Sequence, residues 1–259
     1  MDFDPKLMAT IGTSFITSLA AKGITGPAET INDLWKASFG YPIHYFSEKR
    51  RIKYELNLKK FEKELTDKIL EIPKENIQEP KESIIGPALE ASKYYFDEKE
   101  IRDMFANLIT SSMDSTYNGL VQHSFVEIIK QLSPHDAKLF ASFNESEAII
   151  DIILENDKGH YYRLLSDFFI SDSFSNYTQN SISLINLEKQ GLIKIFYDMH
   201  LTNDLYYSKY ENSTCYKEIK EKSWGPVDNL PSKVSMKKYK FEITPLGQAF
   251  KKVCIKDSL

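Results

Sequence analysis

The strongest constraint on the fold is the helical spacing of apolar residues in the first half of this 259-residue chain. In the best example, five apolar residues stand at positions i, i+3, i+4, i+7 and i+8, namely Ile101, Met104, Phe105, Leu108 and Ile109. This period places all five on one face of a helix, and that face needs a core to cover it. Other apolar patterns predict helices over 27–39, about 43–70 and 87–96, and from about Ser124. The first half of the chain is therefore predicted to be helical.

The long helix predicted over 43–70 is highly charged. Residues 48–82 hold ten Lys or Arg and nine Asp or Glu. Such a balance is typical of a solvent-exposed helix face with ion pairs between residues four apart. The local basic group of Lys49, Arg50, Arg51 and Lys53 is interpreted in the same way.

Three helix starts are signalled by capping residues. Pro87 suits the first turn of one helix, and Asp97 with Glu100 three residues later predicts a capping box for the next. The clearest start is Ser133-Pro134-His135-Asp136, with Ser133 as the cap and the proline at the first helical position. We predict the main domain boundary at this point.

The remaining residues have a different pattern. The β-branched run over 149–154 predicts either a strand or a buried helix. A helix is predicted over 180–190, with Ile182, Ile185 and Leu187 facing inward, and strands are predicted over 192–197 and 239–243. The Tyr-rich stretch 198–232 between the two strands is interpreted as an insertion, and Thr244-Pro245 opens a final helix. This order resembles a winged-helix domain, mainly over "LEKQGLIKI" and "KYKFEITPLGQAFKKVC".

The predicted fold class is therefore mainly α, with a helical N-terminal region followed by a small α+β winged-helix-like domain. The predicted segments are an apolar, small-residue helical segment over 1–40, a helical domain over 41–132 and the winged-helix-like domain over 133–259.

One N-terminal stretch is apolar over 15 residues, from Leu7 to Ala21. Leu7, Ile11, Phe15 and Leu19 recur every four residues and so share one helix face. Three interpretations stay open for residues 7–28: a helix packed on the body, a segment that contacts a membrane or a partner, or a transmembrane helix. The third is disfavoured because a span needs about 20 apolar residues.

The sequence offers no recognisable catalytic motif. It has no nucleophile elbow, phosphate-binding loop or glycine-rich dinucleotide motif. Its two cysteines, Cys215 and Cys254, have no CxxC spacing, so they support neither a zinc ribbon nor a disulfide framework, and they fit a reducing compartment. The acidic group Asp97, Glu98, Glu100 and Asp103, and the pair His123 and Glu127, are interpreted as structural. We therefore predict a protein that is not an enzyme and has no cofactor and no metal.

Nucleic-acid binding would have to be local, since the formal net charge is −4. The helix over 181–190 has one Lys and one Glu, which is poor for phosphate contact. The predicted wing over 233–252 is basic, and its candidate contacts for a nucleic acid or an acidic partner are Lys233, Lys237, Lys238 and Lys240. A solvent-exposed hairpin, a polyanion contact and a protein contact all stay open.

Over about 26–140 the chain resembles the Abi-alpha (abortive infection alpha) family of bacterial proteins. The resemblance is carried by Ile72-Pro73-x-Glu75-Asn76-Ile77-x-Glu79-Pro80, by "IIGPALEASKYYFDEKEIRDMFANLITSSMD" over 84–114 and by "HSFVEIIKQLSPHDAKLF" over 123–140. The family has a proline after the residue matching His123, and this chain does not. The resemblance implies phage defence through death or arrest of the infected cell, and it brings no catalytic residues.

The resulting hypothesis is a non-enzymatic phage-defence protein that acts through its helical region and through contact with a partner or a membrane. The alternatives are a winged-helix DNA-binding regulator and a protein-interaction scaffold. A protein partner or a homo-oligomer is expected, and a membrane contact through residues 7–28 and a nucleic-acid contact stay open. The expected location is the cytoplasm, with the inner face of the membrane as the alternative.

Overall fold

The computed structural model describes residues 17–21, 23–39 and 48–256. They form two compact units. Unit 1 contains the described residues up to Ala137 and those from Ala249 onward, and unit 2 contains Lys138–Gln248. The predicted segments 1–40, 41–132 and 133–259 do not follow this division and stay predictions.

Unit 1 is built from helices. Besides a helical turn over 17–21, its α-helices are α1 (Gly26–Phe39), α2 (Glu48–Glu71), α3 (Glu82–Ser92), α4 (Lys99–Ser112), α5 (Ser124–Gln131) and α6 (Pro134–Ala141), the last of which runs on into unit 2. Short 3-10 turns lie at Lys74–Asn76 and Ser115–Tyr117. The prediction that the first half of the chain is helical is thus confirmed over the residues that the structure describes.

The α4 helix lies at the centre of the unit 1 core. All five residues of its predicted apolar face are at most 1% exposed. The charged α2 helix buries Leu58, Phe61 and Leu65 at helical spacing. Arg102 of α4 binds Glu64 of α2 through two hydrogen bonds, of 2.9 Å from Nε and 2.8 Å from Nη2. Such a paired geometry gives the two helices a fixed register.

Two predicted helix starts in unit 1 are wrong. Pro87 does not begin α3 but lies inside it, because the helix starts at Glu82 and fully buries Ile84 and Ile85. Burying two isoleucines contributes about 3–6 kcal/mol, which outweighs about 3 kcal/mol for a proline inside a helix. Asp97 does not cap α4, whose N-cap residue is Glu98 and makes no side-chain cap bond.

The helix start at Ser133 is confirmed. The Asp136 carboxylate accepts a hydrogen bond from the Ser133 backbone N–H at 2.8 Å. In return the Asp136 N–H donates to the Ser133 hydroxyl at 3.1 Å. This reciprocal pair is a capping box, with an aspartate in place of the usual glutamate.

The end of the described chain packs onto α4. Residues Lys251–Ile255 form a π-helical turn whose last side chains are buried. Asn107 donates to the carbonyl oxygens of Cys254 and Ile255 at 2.9 and 3.2 Å, and Ser111 donates to that of Val253 at 3.0 Å. Side chains of α4 thus satisfy carbonyls that the helix end leaves unpaired.

Unit 2 contains a four-stranded antiparallel sheet. Its strands are β1 (Ser146–Asn156), β2 (Tyr161–Phe168), β3 (Ile193–Phe196) and β4 (Ser232–Ile243), in the order β2-β1-β4-β3. The ambiguous run over 149–154 is therefore a strand. The strand predicted over 239–243 begins too late, because β4 pairs with β1 along its whole length, from Glu242 opposite Ser146 to Ser232 opposite Asn156.

The stretch predicted as an insertion supplies part of the unit 2 core. It holds a 3-10 turn (Asp204–Tyr207) and two short helices, α8 (Ser208–Asn212) and α9 (Thr214–Glu221). Tyr207, Tyr210 and Tyr216 pack with Ile150 and other side chains on one face of the sheet. Three of its four tyrosines are therefore core residues with a polar end, as Tyr207 illustrates by donating to the Tyr239 carbonyl at 2.7 Å, whereas Tyr206 is exposed.

The helix predicted over 180–190 exists as α7 (Tyr177–Lys189), but its predicted inward face is partly wrong. Leu187 is fully buried, whereas Ile182 and Ile185 are 64% and 57% exposed. The buried face is formed instead by Leu184, Leu187 and Asn180, whose amide donates to the carbonyls of Phe169 and Phe174, both at 2.9 Å.

The final helix, α10 (Pro245–Phe250), begins as predicted. Thr244 caps it by accepting a hydrogen bond from the Gly247 N–H at 2.9 Å. Gly247 also allows close packing, because an added Cβ would lie 2.0 Å from the Leu192 carbonyl oxygen. The likeness of this region to a winged helix stays a prediction.

Candidate functional site

A buried carboxylate lies in the middle of β1. Asp151 is 0% exposed, and its Oδ1 accepts a hydrogen bond from the Asp167 backbone N–H at 3.0 Å. Its Oδ2 lies 2.7 Å from Arg163 Nε, which is an ion pair by distance although that oxygen accepts no hydrogen bond from the part of the chain that the structure describes. The pairing of β1 with β2 is irregular on both sides of Ile152, so Asp151 stands at a β-bulge.

Asp167 is held in the left-handed backbone region, with φ of 50°. Only a few per cent of residues other than glycine adopt such angles, and aspartate tolerates them better than most. Three contacts fix it here. Its N–H donates to Asp151, its Oδ1 accepts from the Tyr197 hydroxyl at 2.8 Å, and its carbonyl accepts from the Ser181 hydroxyl at 2.8 Å.

Burial is the largest cause of the pKa shifts of Asp151 and Tyr197. It raises the pKa of Asp151, although the Asp167 N–H and the charges of Arg163 and Lys237 act in the opposite direction. Burial also raises the pKa of Tyr197, and the hydrogen bond to Asp167 raises it further. Tyr197 thus remains a neutral phenol that donates to Asp167 throughout the physiological pH range.

Cations and aromatic rings lie around this cluster on one face of the sheet. Lys237 pairs across the strands with Asp151, and its Nζ lies 3.4 Å from the centroid of the Tyr161 ring. Tyr161 and Tyr197 are 40% and 49% exposed, and about half of the Arg163 side chain is exposed. We call Tyr161, Arg163, Tyr197 and Lys237 the sheet surface.

The sheet surface can hold an anionic group of a partner. Arg163 is held by the Asp151 carboxylate and Lys237 lies over the Tyr161 ring, so both cations lose little side-chain freedom on binding. Tyr161 and Tyr197 add exposed rings with hydroxyl groups. Tyrosine and arginine are the residue types, with tryptophan, that contribute most to protein interfaces.

The four lysines predicted to act together are divided by the strand. Side chains alternate along β4, so Lys233 and Lys237 lie on the face of the sheet surface and Lys238 and Lys240 on the opposite face. Lys238 binds Asp204 at 2.8 Å, and Lys240 binds Glu242 at 2.6 Å. Of the four lysines of the predicted basic contact, only two therefore lie on any one face of the sheet.

The predicted apolar face of the N-terminal segment lies mostly outside the described residues. Leu7, Ile11 and Phe15 belong to that part, and Leu19 is described and fully buried. Among the helices in the described ranges, none combines the length and apolar character that crossing a membrane requires.

Asp97, one of the acidic residues noted in the sequence, has structural contacts in unit 1. Asp97 binds Lys53 at 2.6 Å and also accepts a hydrogen bond from Asn57. These three residues help to line a cavity of about 330 Å³, with Tyr94 and Phe96 among its other walls. Across the described residues, no group of three or more His, Cys, Asp or Glu is placed to hold a metal ion.

Sequence reasoning missed Asp151, although the sequence contained a signal for it. A single aspartate interrupts the run Ile149-Ile150-Asp151-Ile152-Ile153, and a charge in a buried strand requires a partner. The sequence does not reveal that these partners are Arg163 and the Asp167 N–H, because the pairing depends on the bulged register of β1 and β2.

Comparison with known proteins gives one match. The family model described as abortive infection alpha matches residues 53–254, which is more than half of the chain and includes residues of both units. No curated protein and no solved structure matches the chain.

Proposed function

We propose that this chain, which belongs to the abortive infection alpha family, contributes to defence by binding a protein partner through the sheet surface. Membership of the family implies a role in abortive infection, which is a defence against phage. We further propose that the chain acts without catalysis of its own and works in the cytoplasm. Its two cysteines, both free, fit that compartment.

One observation carries this proposal: the sheet surface is built around two energetically costly features. These are the buried carboxylate of Asp151 and the left-handed backbone of Asp167. Burying a carboxylate costs several kcal/mol unless it is well paired, and a residue in a sparsely populated backbone region costs about 1–3 kcal/mol. An apolar residue at position 151 would avoid the first of these costs. Such features cluster at functional sites, where binding or activity compensates for them.

The composition of the sheet surface favours a protein over a nucleic acid. Nucleic-acid binding depends on several cations facing the same backbone. Here Lys238 and Lys240 face away from Lys237, and the whole chain has a net charge of −4. Two tyrosines beside an arginine and a lysine suit a protein segment with an exposed carboxylate.

Site-specific photocrosslinking in infected cells tests this proposal. A photoreactive phenylalanine derivative is placed at Tyr161, and as the matched control at Lys217, an exposed residue of α9. We expect a discrete protein adduct at position 161 after phage infection and none at position 217. An adduct with nucleic acid at position 161, or the same adducts at both positions, would contradict the proposal.

A further inference from the structure

We infer that the partner bound at the sheet surface contributes an extended acidic segment, which adds as a strand to the outer edge of β2; this inference rests on the proposed function. In the sheet order β2-β1-β4-β3, both β2 and β3 are edge strands. An edge strand exposes a row of backbone N–H and C=O groups with which another strand can pair. The two edges of this sheet differ in whether such groups are already bound.

The β3 edge is protected by a side chain. Glu188 of α7 accepts a hydrogen bond from the Ile195 backbone N–H at 2.8 Å. Charged side chains at an edge are one means by which proteins keep other strands from pairing there. The β3 strand is also only four residues long, so it offers little to an added strand.

The backbone groups that β2 exposes follow from its hairpin with β1. The Asn156 N–H donates to the His160 carbonyl at 3.0 Å, so these two residues form a hydrogen-bonded pair. Bonded and non-bonded pairs alternate along an antiparallel ladder, which makes Tyr162 the next residue of β2 that is bonded to β1. The N–H and C=O groups of Tyr161 and Arg163 therefore point away from β1.

These outward groups are open in the part of the chain that the structure describes. Tyr161 and Arg163 are both exposed, and their outward N–H and C=O groups form no hydrogen bond with another described residue. An extended peptide backbone presents donors and acceptors at the spacing that matches such a row, and a nucleic acid does not. The irregular pairing of β2 begins directly after Arg163, so the added strand is limited to the stretch 161–163.

The side chains beside this edge favour an acidic segment. Residues that face each other across two strands share one side of the sheet, so a side chain opposite Arg163 would lie on the sheet surface. The Arg163 guanidinium meets Asp151 through Nε at 2.7 Å, and its Nη groups donate no hydrogen bond to a described residue. Those two groups match the two oxygens of a carboxylate. Lys237 lies on the same face and adds a second cation.

Charge disfavours a second copy of the chain at this edge. If the β2 strands of two copies paired about a two-fold axis normal to the sheet, the two sheet surfaces would join on one face. Each copy would bring two cations, Arg163 and Lys237, against the single buried carboxylate of Asp151. An acidic segment instead neutralises the excess positive charge, so charge complementarity favours it as the occupant.

Amide hydrogen exchange of the full chain, read by NMR, tests the edge and its occupant. In the free chain the Tyr162 N–H is expected to exchange at least about tenfold more slowly than those of Tyr161 and Arg163. The peptide acetyl-Thr-Val-Asp-Val-Thr-amide is then added as the probe, since β-branched residues favour an extended backbone. At saturation it is expected to slow exchange at Tyr161 and Arg163 by about tenfold or more and to leave Tyr162 unchanged.

Variants of the probe separate its backbone from its carboxylate. Replacing the peptide Asp with Asn removes the charge and is expected to weaken binding about tenfold, because hydrogen bonds to ionised groups are about twice as strong as neutral ones. Two further probes carry an N-methyl group, one on the Asp and one on the Val that follows it. Successive N–H groups of a strand point to opposite sides, so one of these two probes is expected to lose binding and the other to bind like the parent.

Several results would overturn the inference. These are protected Tyr161 and Arg163 amides in the free chain, unchanged exchange at millimolar peptide, an Asn probe that binds as tightly as the parent, and equal effects of the two N-methyl groups. A photocrosslinked adduct at position 161 without strand addition would also overturn it and would leave the proposed function standing. Strand addition by the probe without any adduct would instead contradict the proposed function, on which the inference rests.

Discussion

Replacing Tyr197 with phenylalanine removes one hydrogen bond from the cluster around Asp151 and leaves the ring in place. The lost bond is the 2.8 Å contact from the Tyr197 hydroxyl to the carboxylate of Asp167, which is itself only 8% exposed. A hydrogen bond to a charged group contributes about 1.5–3 kcal/mol. Because Tyr197 is half exposed and water can replace part of the bond, the lower end applies, at about 1.5 kcal/mol.

Thermal unfolding followed by circular dichroism measures this loss. In a protein of this size each kcal/mol lowers Tm by about 2–4 °C, so Tyr197→Phe is expected to lower Tm by about 3–6 °C. Tyr162→Phe makes the same chemical change at an exposed tyrosine of β2 and is the control, expected to leave Tm unchanged. A fall of less than about 1 °C for Tyr197→Phe would contradict this prediction, because it would mean that the bond does not hold Asp167.

The pH dependence gives a second test of the same bond. The pKa of Tyr197 is raised in the folded state from its ordinary value of 10.0, by burial first and by the bond to Asp167 second. The folded chain therefore holds this proton more tightly than the unfolded chain, and the stability gained is complete below pH 10 and is lost as the pH rises above it. The wild type is expected to lose more stability above pH 10 than Tyr197→Phe, and equal losses would contradict this account.

Three further predictions concern single residues. The raised pKa of Asp151 means that the wild type gains stability relative to Asp151→Asn as the pH falls from neutral toward its ordinary value of 3.8, which urea unfolding at several pH values would measure. Gly247→Ala places a Cβ against the Leu192 carbonyl oxygen and is expected to cost about 3 kcal/mol or more, seen as a lower urea midpoint. Asn107→Ala removes two bonds to the C-terminal turn and is expected to cost about 2–3 kcal/mol and to speed trypsin cleavage after Lys251 and Lys252.

The helices of unit 1 could be predicted because their signals are local. The five-residue apolar face of α4 and the capping box of Ser133 and Asp136 each act within about three helical turns. Asp97 was misjudged because its partners, Lys53 and Asn57, come from a helix about forty residues earlier. A cap that looks complete in sequence can thus be replaced by a tertiary ion pair.

The candidate site could be predicted only in part, because it depends on contacts between distant strands. The alternation of lysines along β4 follows from strand geometry once the strand is known to begin at Ser232. The outward direction of Ile182 and Ile185 follows from the burial of Leu184 and Leu187 together with Asn180, whose amide binds two carbonyls outside the helix. The helix has apolar residues on two faces, and hydrophobic spacing alone does not decide which of them is buried.

The most direct test of the account is the plating efficiency of a panel of phages on cells that carry the chain, its sheet-surface variant or a control. The variant combines Tyr161→Ala with Lys237→Gln, and the control is Lys217→Gln, all at equal protein level and with unchanged Tm. Wild type and control are expected to reduce plaque formation by the same factor, whereas the double variant is expected not to reduce it. Full protection by the double variant would contradict the claim that the chain defends by binding a partner at the sheet surface.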